Sequence, residues 1–304
     1  MKSTTPKKRG CLYWIKLLTV GVIGAIVVLY VASYPLEISW ITRSAYHSVC
    51  CPPPAEKGFN YEAVTLHSGD VTLPAWYIPS RNRAVVIFIH GEGGDRAELM
   101  GRAEMLIRHG YGALLYDRRG HGESTGGGKR AMGWFDVDDA LAAVTWLQNR
   151  EGIDPQRIGV LGWSVGGQIA IRAAVQSDKI RAVVADGPSL TNNRDVPHPT
   201  SVWDRWGFFE NWIFFKGLEL TIGTPAPPGI ANTIGAIAPR PILLIACGAD
   251  QDIETRIARH YYDHADEPKV LWEIPEAHHG GGPVARPEEY EERVVEFFDQ
   301  AMLK

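Results

Sequence analysis

The sequence predicts an α/β fold in which a mostly parallel central sheet is covered by helices on both faces. Three observations predict it. Short, nearly continuous apolar runs recur at 84–89 (AVVIFI), 113–116, 158–161, 180–185 and 241–246, and such runs mark strands buried on both sides. Segments of helical periodicity lie between them, at 96–109, 135–148 and beyond Ser164, so strand and helix alternate along the chain. Turn residues punctuate the joins, as at Asp154-Pro155. Such a sheet calls for right-handed crossovers and binds its ligands outside the carboxyl ends of its strands.

A chain of 304 residues holds one large domain of this kind plus a short appendage. The formal charge of -4 and the lack of a basic stripe interleaved with aromatics exclude nucleic acid as an expected partner. The four cysteines form neither CxxC nor a Cys/His ligand spacing, so no structural zinc site is expected, and no metal or cofactor is called for. Cys50 and Cys51 are neighbours, and a bond between adjacent cysteines is strained, so the sequence does not lead us to assume a stabilising disulfide there. Cys247 ends a predicted strand and reads as a small core residue.

The appendage is amino-terminal. Residues 17–36 carry no charge and are rich in Val, Ile, Leu, Gly and Ala, enough for a helix to span a bilayer's hydrocarbon core. The expected transmembrane helix is 12–36, with Tyr13, Trp14 and Tyr34 near its ends and Lys16 able to reach back toward headgroups. Lys2, Lys7, Lys8 and Arg9 make residues 1–11 a basic tail, whereas Glu37 and Arg43 follow the apolar stretch. The positive-inside bias therefore puts the amino terminus in the cytoplasm and the globular domain across the membrane. The competing expectation is a signal peptide cleaved near Val31-Ala32-Ser33, which would release a secreted protein. The apolar core is longer than signal peptides usually carry, which favours a retained anchor.

Residues 37–58 include Pro52, Pro53 and Pro54, lack amphipathic periodicity, and read as a stiff linker to a domain over 59–304. Strands at 62–67 and 71–78 flank Ser68-Gly69-Asp70 as an antiparallel hairpin. The last strand is expected at 270–274, and 286–303 closes the chain as an amphipathic helix with Tyr290, Val294, Phe297 and Phe298 on one face.

The strand at 158–161 runs into Gly162-Trp163-Ser164-Val165-Gly166-Gly167 and then into a helix bearing Ala170, Ile171, Ala173 and Ala174. In G-x-S-x-G the missing side chains allow a tight bend that projects the serine hydroxyl above the sheet. This strand, turn and helix resembles the nucleophile elbow of the α/β-hydrolase family. The likeness extends from about residue 59 to the carboxyl terminus, outside one insertion. It implies the α/β-hydrolase fold with a small cap insertion, preceded here by one transmembrane helix.

A serine hydroxyl needs a base, and the base needs a carboxylate to hold its tautomer. The family order is nucleophile, acid, histidine, and this chain supplies residues in that order. His279 is the expected base because it directly precedes Gly280 after the last strand, with His278 as the alternative. The family's aspartate follows a glycine after the preceding strand, which points to Asp250 in Cys247-Gly248-Ala249-Asp250-Gln251-Asp252. Asp252 and Asp186 are alternative acids. The backbone N–H of Val165 is the expected first oxyanion donor, at a helix start where amides lack partners. The resemblance of His90-Gly91-Glu92-Gly93-Gly94 to the family's oxyanion loop makes the amide of Glu92 the second. A carboxylate there would repel an oxyanion unless it turned away or met a cationic substrate group. Asp117-Arg118-Arg119-Gly120-His121-Gly122-Glu123-Ser124 resembles the family's D-x-R-G-H-G-x-S turn; a structural role is expected, and none in catalysis for His121.

Strand and helix alternation lapses at about 189–233, where the family carries its cap. Trp203, Trp206, Phe208, Phe209, Trp212, Phe214 and Phe215 crowd this insertion, as packing for a small lid, as an apolar acyl pocket in which Trp206 and Trp212 are the test positions, or as a surface facing the membrane. The expected protein is a membrane-anchored serine hydrolase that cleaves small or lipid-like carboxylic esters or thioesters through an acyl-enzyme. A serine peptidase of the same fold and a catalytically inactive hydrolase-like scaffold are the alternatives.

Overall fold

The computed structural model describes residues 10–43, 49–126, 130–249 and 252–304. The expected hairpin, β1 (Glu62–Ser68) and β2 (Val71–Ile78), opens the sheet, with Gly69 in the left-handed backbone region its turn requires. β2 pairs antiparallel with β4 (Gly112–Tyr116), and from there every neighbour is parallel: β3 (Val85–Ile89), β5 (Ile158–Trp163), β6 (Ala182–Asp186), β7 (Ile242–Cys247) and β8 (Lys269–Ile274). The eight-stranded order is β1-β2-β4-β3-β5-β6-β7-β8.

The apolar runs are explained by where alternate side chains go. Val85, Ile87, Val160, Val183 and Leu244 face one core, with α3 (Asp136–Gln148) and α4 (Val165–Gln176) packed over them. Val86, Phe88, Leu161, Val184 and Leu243 face the other, beneath α2 (Met100–Arg108) and α8 (Pro287–Met302). With both faces covered, β3, β4, β5 and β7 carry no charged side chain, which is why their sequences read as continuous rather than alternating.

Outside the cap, two helices lie where the sequence reading placed none. α6 (Asp252–His264) joins β7 to β8, burying Ile257 and Tyr261, and the short α7 (Gly282–Ala285) precedes α8. The cap falls between β6 and β7, as expected. Its main element is the 21-residue α5 (Val202–Ile222), opened by a reciprocal capping box between Ser201 and Asp204 and closed by Gly223 in left-handed conformation.

At the amino terminus α1 (Cys11–Arg43) continues past residue 36. Among the described residues it is the one helix long and apolar enough to cross a membrane. Its apolar side chains are exposed through Tyr30, but Tyr34 and Ile38 are buried against Phe215 and Leu218 of α5 and Trp134. The basic residues Lys2 to Arg9, on which the orientation rests, lie outside the described residues. Cys50 and Cys51 are bonded to each other, and the Cys50 amide donates to Asp95 Oδ2 at 2.6 Å.

Candidate active site

Ser164 sits between β5 and α4 with φ 56° and ψ -119°, a backbone region that costs a residue with a side chain about 1–3 kcal/mol. The glycines around it make the bend feasible. A Cβ on Gly162 would collide with the carbonyl of Gly166, and one on Gly166 with the carbonyl of Ile89. The turn is pinned from β6, because the Ser164 amide donates to the Asp186 carbonyl at 2.9 Å and the Ser189 amide donates to the Ser164 carbonyl at 3.1 Å. Ser164 thus stands at the carboxyl edge of the sheet, and its neighbour Val165 begins α4.

His279 follows β8 and lines the same cavity as Ser164. Its Nδ1 meets Glu254 Oε2 at 2.6 Å. Glu254 lies in the first turn of α6, and its Oε1 accepts from the Cys247 amide at 2.6 Å, so the end of β7 fixes the carboxylate's direction. The hydrogen bond to Glu254 raises the His279 pKa above its ordinary value of 6.5, against the opposing effect of burial. The indole of Trp163 lies 5.3 Å from the imidazole at 34° to it.

Asp250 lies outside the described residues, and Asp252 begins α6. Asp186 is fully buried at the end of β6, where its Oδ2 accepts from Arg102 Nη2 at 2.6 Å and from the Tyr290 hydroxyl at 2.8 Å. His278 is exposed, and the cavity wall contains His279 instead of it.

The loop after β3 lies directly against the elbow, since a Cβ on Gly91 would come within 3.4 Å of Ser164 Cβ. The Gly91 peptide is held on both sides: its amide donates to Glu98 Oε2 at 2.9 Å, and its carbonyl accepts from Arg118 Nη1 at 3.0 Å. The Glu92 carboxylate is turned into a buried cationic nest, paired with Arg130 and 3.5 Å from both Arg118 Nη2 and His121 Nε2. Burial alone would raise its pKa, but the His121 hydrogen bond and the Arg118 and Arg130 charges hold it well below the usual carboxylate range. This resolves the oddity of an acid in that loop, because its charge is already neutralised by the protein. In the turn at 117–124 the Asp117 carboxylate accepts from the amides of Arg96 at 2.7 Å and Glu123 at 2.8 Å.

The cavity over Ser164 measures about 800 Å³ and its apolar wall comes from Met132, Leu190, Phe214, Phe215, Ile253 and Ile257. Phe214 and Phe215 belong to the cap. Trp206 and Trp212 do not line it; they are exposed on α5.

The sequence model of the family described as alpha/beta hydrolase fold matches residues 84–237. The chain belongs to the α/β-hydrolase fold family. Among solved structures, the Pyrococcus furiosus esterase Pf2001 superposes with a TM-score of 0.69 at 26% identity, covering 86% of this chain and 98% of that one. The uncharacterised protein YfhR of Escherichia coli K12 is 27% identical over 255 residues, 79% of this chain and 81% of that protein. The quorum-quenching protein AidA of Acinetobacter baumannii is 30% identical over 130 residues, 41% of this chain and 43% of its own length.

Two residues of this α/β-hydrolase site escaped the sequence reading. Glu254 had a signal, the helical spacing of Ile253, Ile257 and Tyr261, which places it on the first turn of a helix rather than in a loop. Arg102 had a weaker one, a charge inside the apolar-periodic helix α2. It joins Asp186 to the Gly280 carbonyl, the latter at 2.8 Å, and so ties the loop after His279 to the end of β6.

Proposed function

We propose that this protein is a membrane-anchored serine hydrolase that cleaves carboxylic esters, or the related thioesters, through an acyl-enzyme. The observation that carries the proposal is that Ser164 and an imidazole held at Nδ1 by Glu254 share one largely apolar cavity. In this reading His279 Nε2 takes the proton as Ser164 Oγ bonds to the acyl carbon. The amides of Val165 and Glu92 hold the oxyanion, each worth about 2.7–4 kcal/mol of barrier if it acts as such donors do. Collapse of the tetrahedral intermediate releases the alcohol with the proton from His279. Water, deprotonated by the same imidazole, then attacks the acyl-enzyme and restores Ser164.

Glu254 is the carboxylate we assign to orient His279, with Asp250 as the residue to test beside it. The apolar wall suits an acyl chain. Glu92, neutralised by Arg118 and Arg130, is poorly placed to receive a substrate amine, which argues for esters over peptides. The anchor is α1, long and apolar enough to span a bilayer. Hydrolysis of p-nitrophenyl acyl esters by the wild type and by Ser164→Ala tests the reading: turnover by the first and its loss in the second are expected, and equal rates would refute it.

A further inference from the structure

The helix that carries part of the cavity wall also carries aromatic side chains that the domain does not bury. On α5, Asn211, Phe214 and Phe215 line the cavity with Ser164. Trp203, Trp206 and Phe209, in its amino-terminal half, remain 83%, 38% and 43% exposed. What they face follows from how α5 packs on α1.

Two contacts fix the register. The Tyr30 hydroxyl donates to Glu210 Oε1 at 2.8 Å, and a Cβ on Gly217 would meet Ile38 Cδ1 at 2.5 Å. Residue numbers rise together on both helices, so α1 and α5 run in the same direction. Moving toward the amino end of α5 is therefore moving along α1 toward its exposed apolar stretch. Trp206 reaches the same level as Tyr30, because its Nε1 donates to the same Glu210 oxygen at 2.6 Å. Trp203 lies one turn further, roughly 4.5 Å closer to the apolar segment at 1.5 Å per residue.

We propose that the amino-terminal half of α5 rests in the phospholipid interface beside α1, and that the cavity takes its acyl esters from the bilayer rather than from water. The inference rests on the ester-hydrolase and anchor readings above. Indole and phenol rings with one polar atom prefer the headgroup level, and Tyr30, Trp206 and Trp203 would form such a belt where α1 leaves the membrane. Glu210, an acceptor for two of them, satisfies their donors there. An acyl chain entering at this level would follow α5 to Phe214, Phe215 and Ser164 without crossing bulk water. The partner is thus a lipid surface and the substrate class a membrane-partitioned ester.

The test uses the full chain reconstituted in phosphatidylcholine vesicles, with two readouts. Brominated acyl chains should quench the tryptophan emission of the wild type, and W203F/W206F, which removes those two indoles and keeps the apolar surface, should lose a clear share of the quenched fraction. An unchanged quenched fraction would overturn the docking, and shielding of both indoles in a chain that proves dimeric would assign the face to a second copy and overturn it equally. For W203S/W206S/F209S, the KM for p-nitrophenyl palmitate presented in the vesicles should rise about fivefold or more, with p-nitrophenyl butyrate in water unchanged. Equal shifts for both esters would contradict entry from the bilayer. A wild type that is quenched yet cleaves neither ester fails the hydrolase reading instead, so the two failures are separable.

Discussion

Glu254 and His279 lie 25 residues apart, yet Glu254 Oε2 and His279 Nδ1 meet at 2.6 Å. The contact arises because β7 and β8 are neighbours in the sheet, so the helix leaving one and the loop leaving the other converge at the same carboxyl edge. If this carboxylate orients the base, Glu254→Gln should lower kcat at least about 100-fold with little change in KM, as expected when only the tautomer and the imidazolium's stabilisation are lost. Asp250→Asn, measured beside it, should cost far less. The reverse ranking would give the role to Asp250.

The hydrogen bond to Glu254 stabilises the protonated imidazole and so raises the His279 pKa. A general base must be neutral to accept the serine proton, so kcat/KM should rise with pH through an inflection above 6.5, the ordinary histidine value. In Glu254→Gln the stabilising charge is gone and the inflection should move down. A pH profile of p-nitrophenyl ester hydrolysis reads both.

Gly166 is the tightest point of the elbow, with a Cβ there directed into the Ile89 carbonyl. Neither backbone can yield without moving β3 or α4. Gly166→Ala should therefore cost about 3 kcal/mol or more of stability, visible as a lower Tm or as insoluble protein, well beyond a surface substitution.

Arg102 and Asp186 form a buried pair that Tyr290 completes. Removing one partner leaves the other charge uncompensated, so Arg102→Met should destabilise the fold by about 3–5 kcal/mol in denaturant unfolding. Asp186→Asn keeps the shape but strands the Arg102 charge in turn, and should cost a comparable amount of stability. With Asp186 in this structural role, its residual activity should exceed that of Glu254→Gln.

The parts of this molecule that were legible in the sequence are those fixed locally. The apolar run at 85–89 needs no partner to announce a doubly covered strand, and Gly162 and Gly166 announce a sharp bend because only the backbone is involved. That Val165 opens α4 follows by adjacency. The carboxylate facing His279 is different. The sequence offers several acids after β7, and which one reaches the imidazole depends on where the first turn of α6 begins. Arg102 acts through Asp186 and Gly280, residues distant in the chain, and a charge within the apolar periodicity of α2 does not say which partners it meets. The aromatic crowding of 203–215 was plain, but its division into Phe214 and Phe215 toward the cavity and Trp206 and Trp212 away from it depends on how α5 lies over the sheet and beside α1.

An activated Ser164 nucleophile should react with a fluorophosphonate probe. Intact mass and peptide mapping after incubation should find one adduct, on Ser164, absent from Ser164→Ala and formed much more slowly in His279→Ala. A folded wild-type protein that remains unlabelled, or an adduct that persists in Ser164→Ala, would contradict the account.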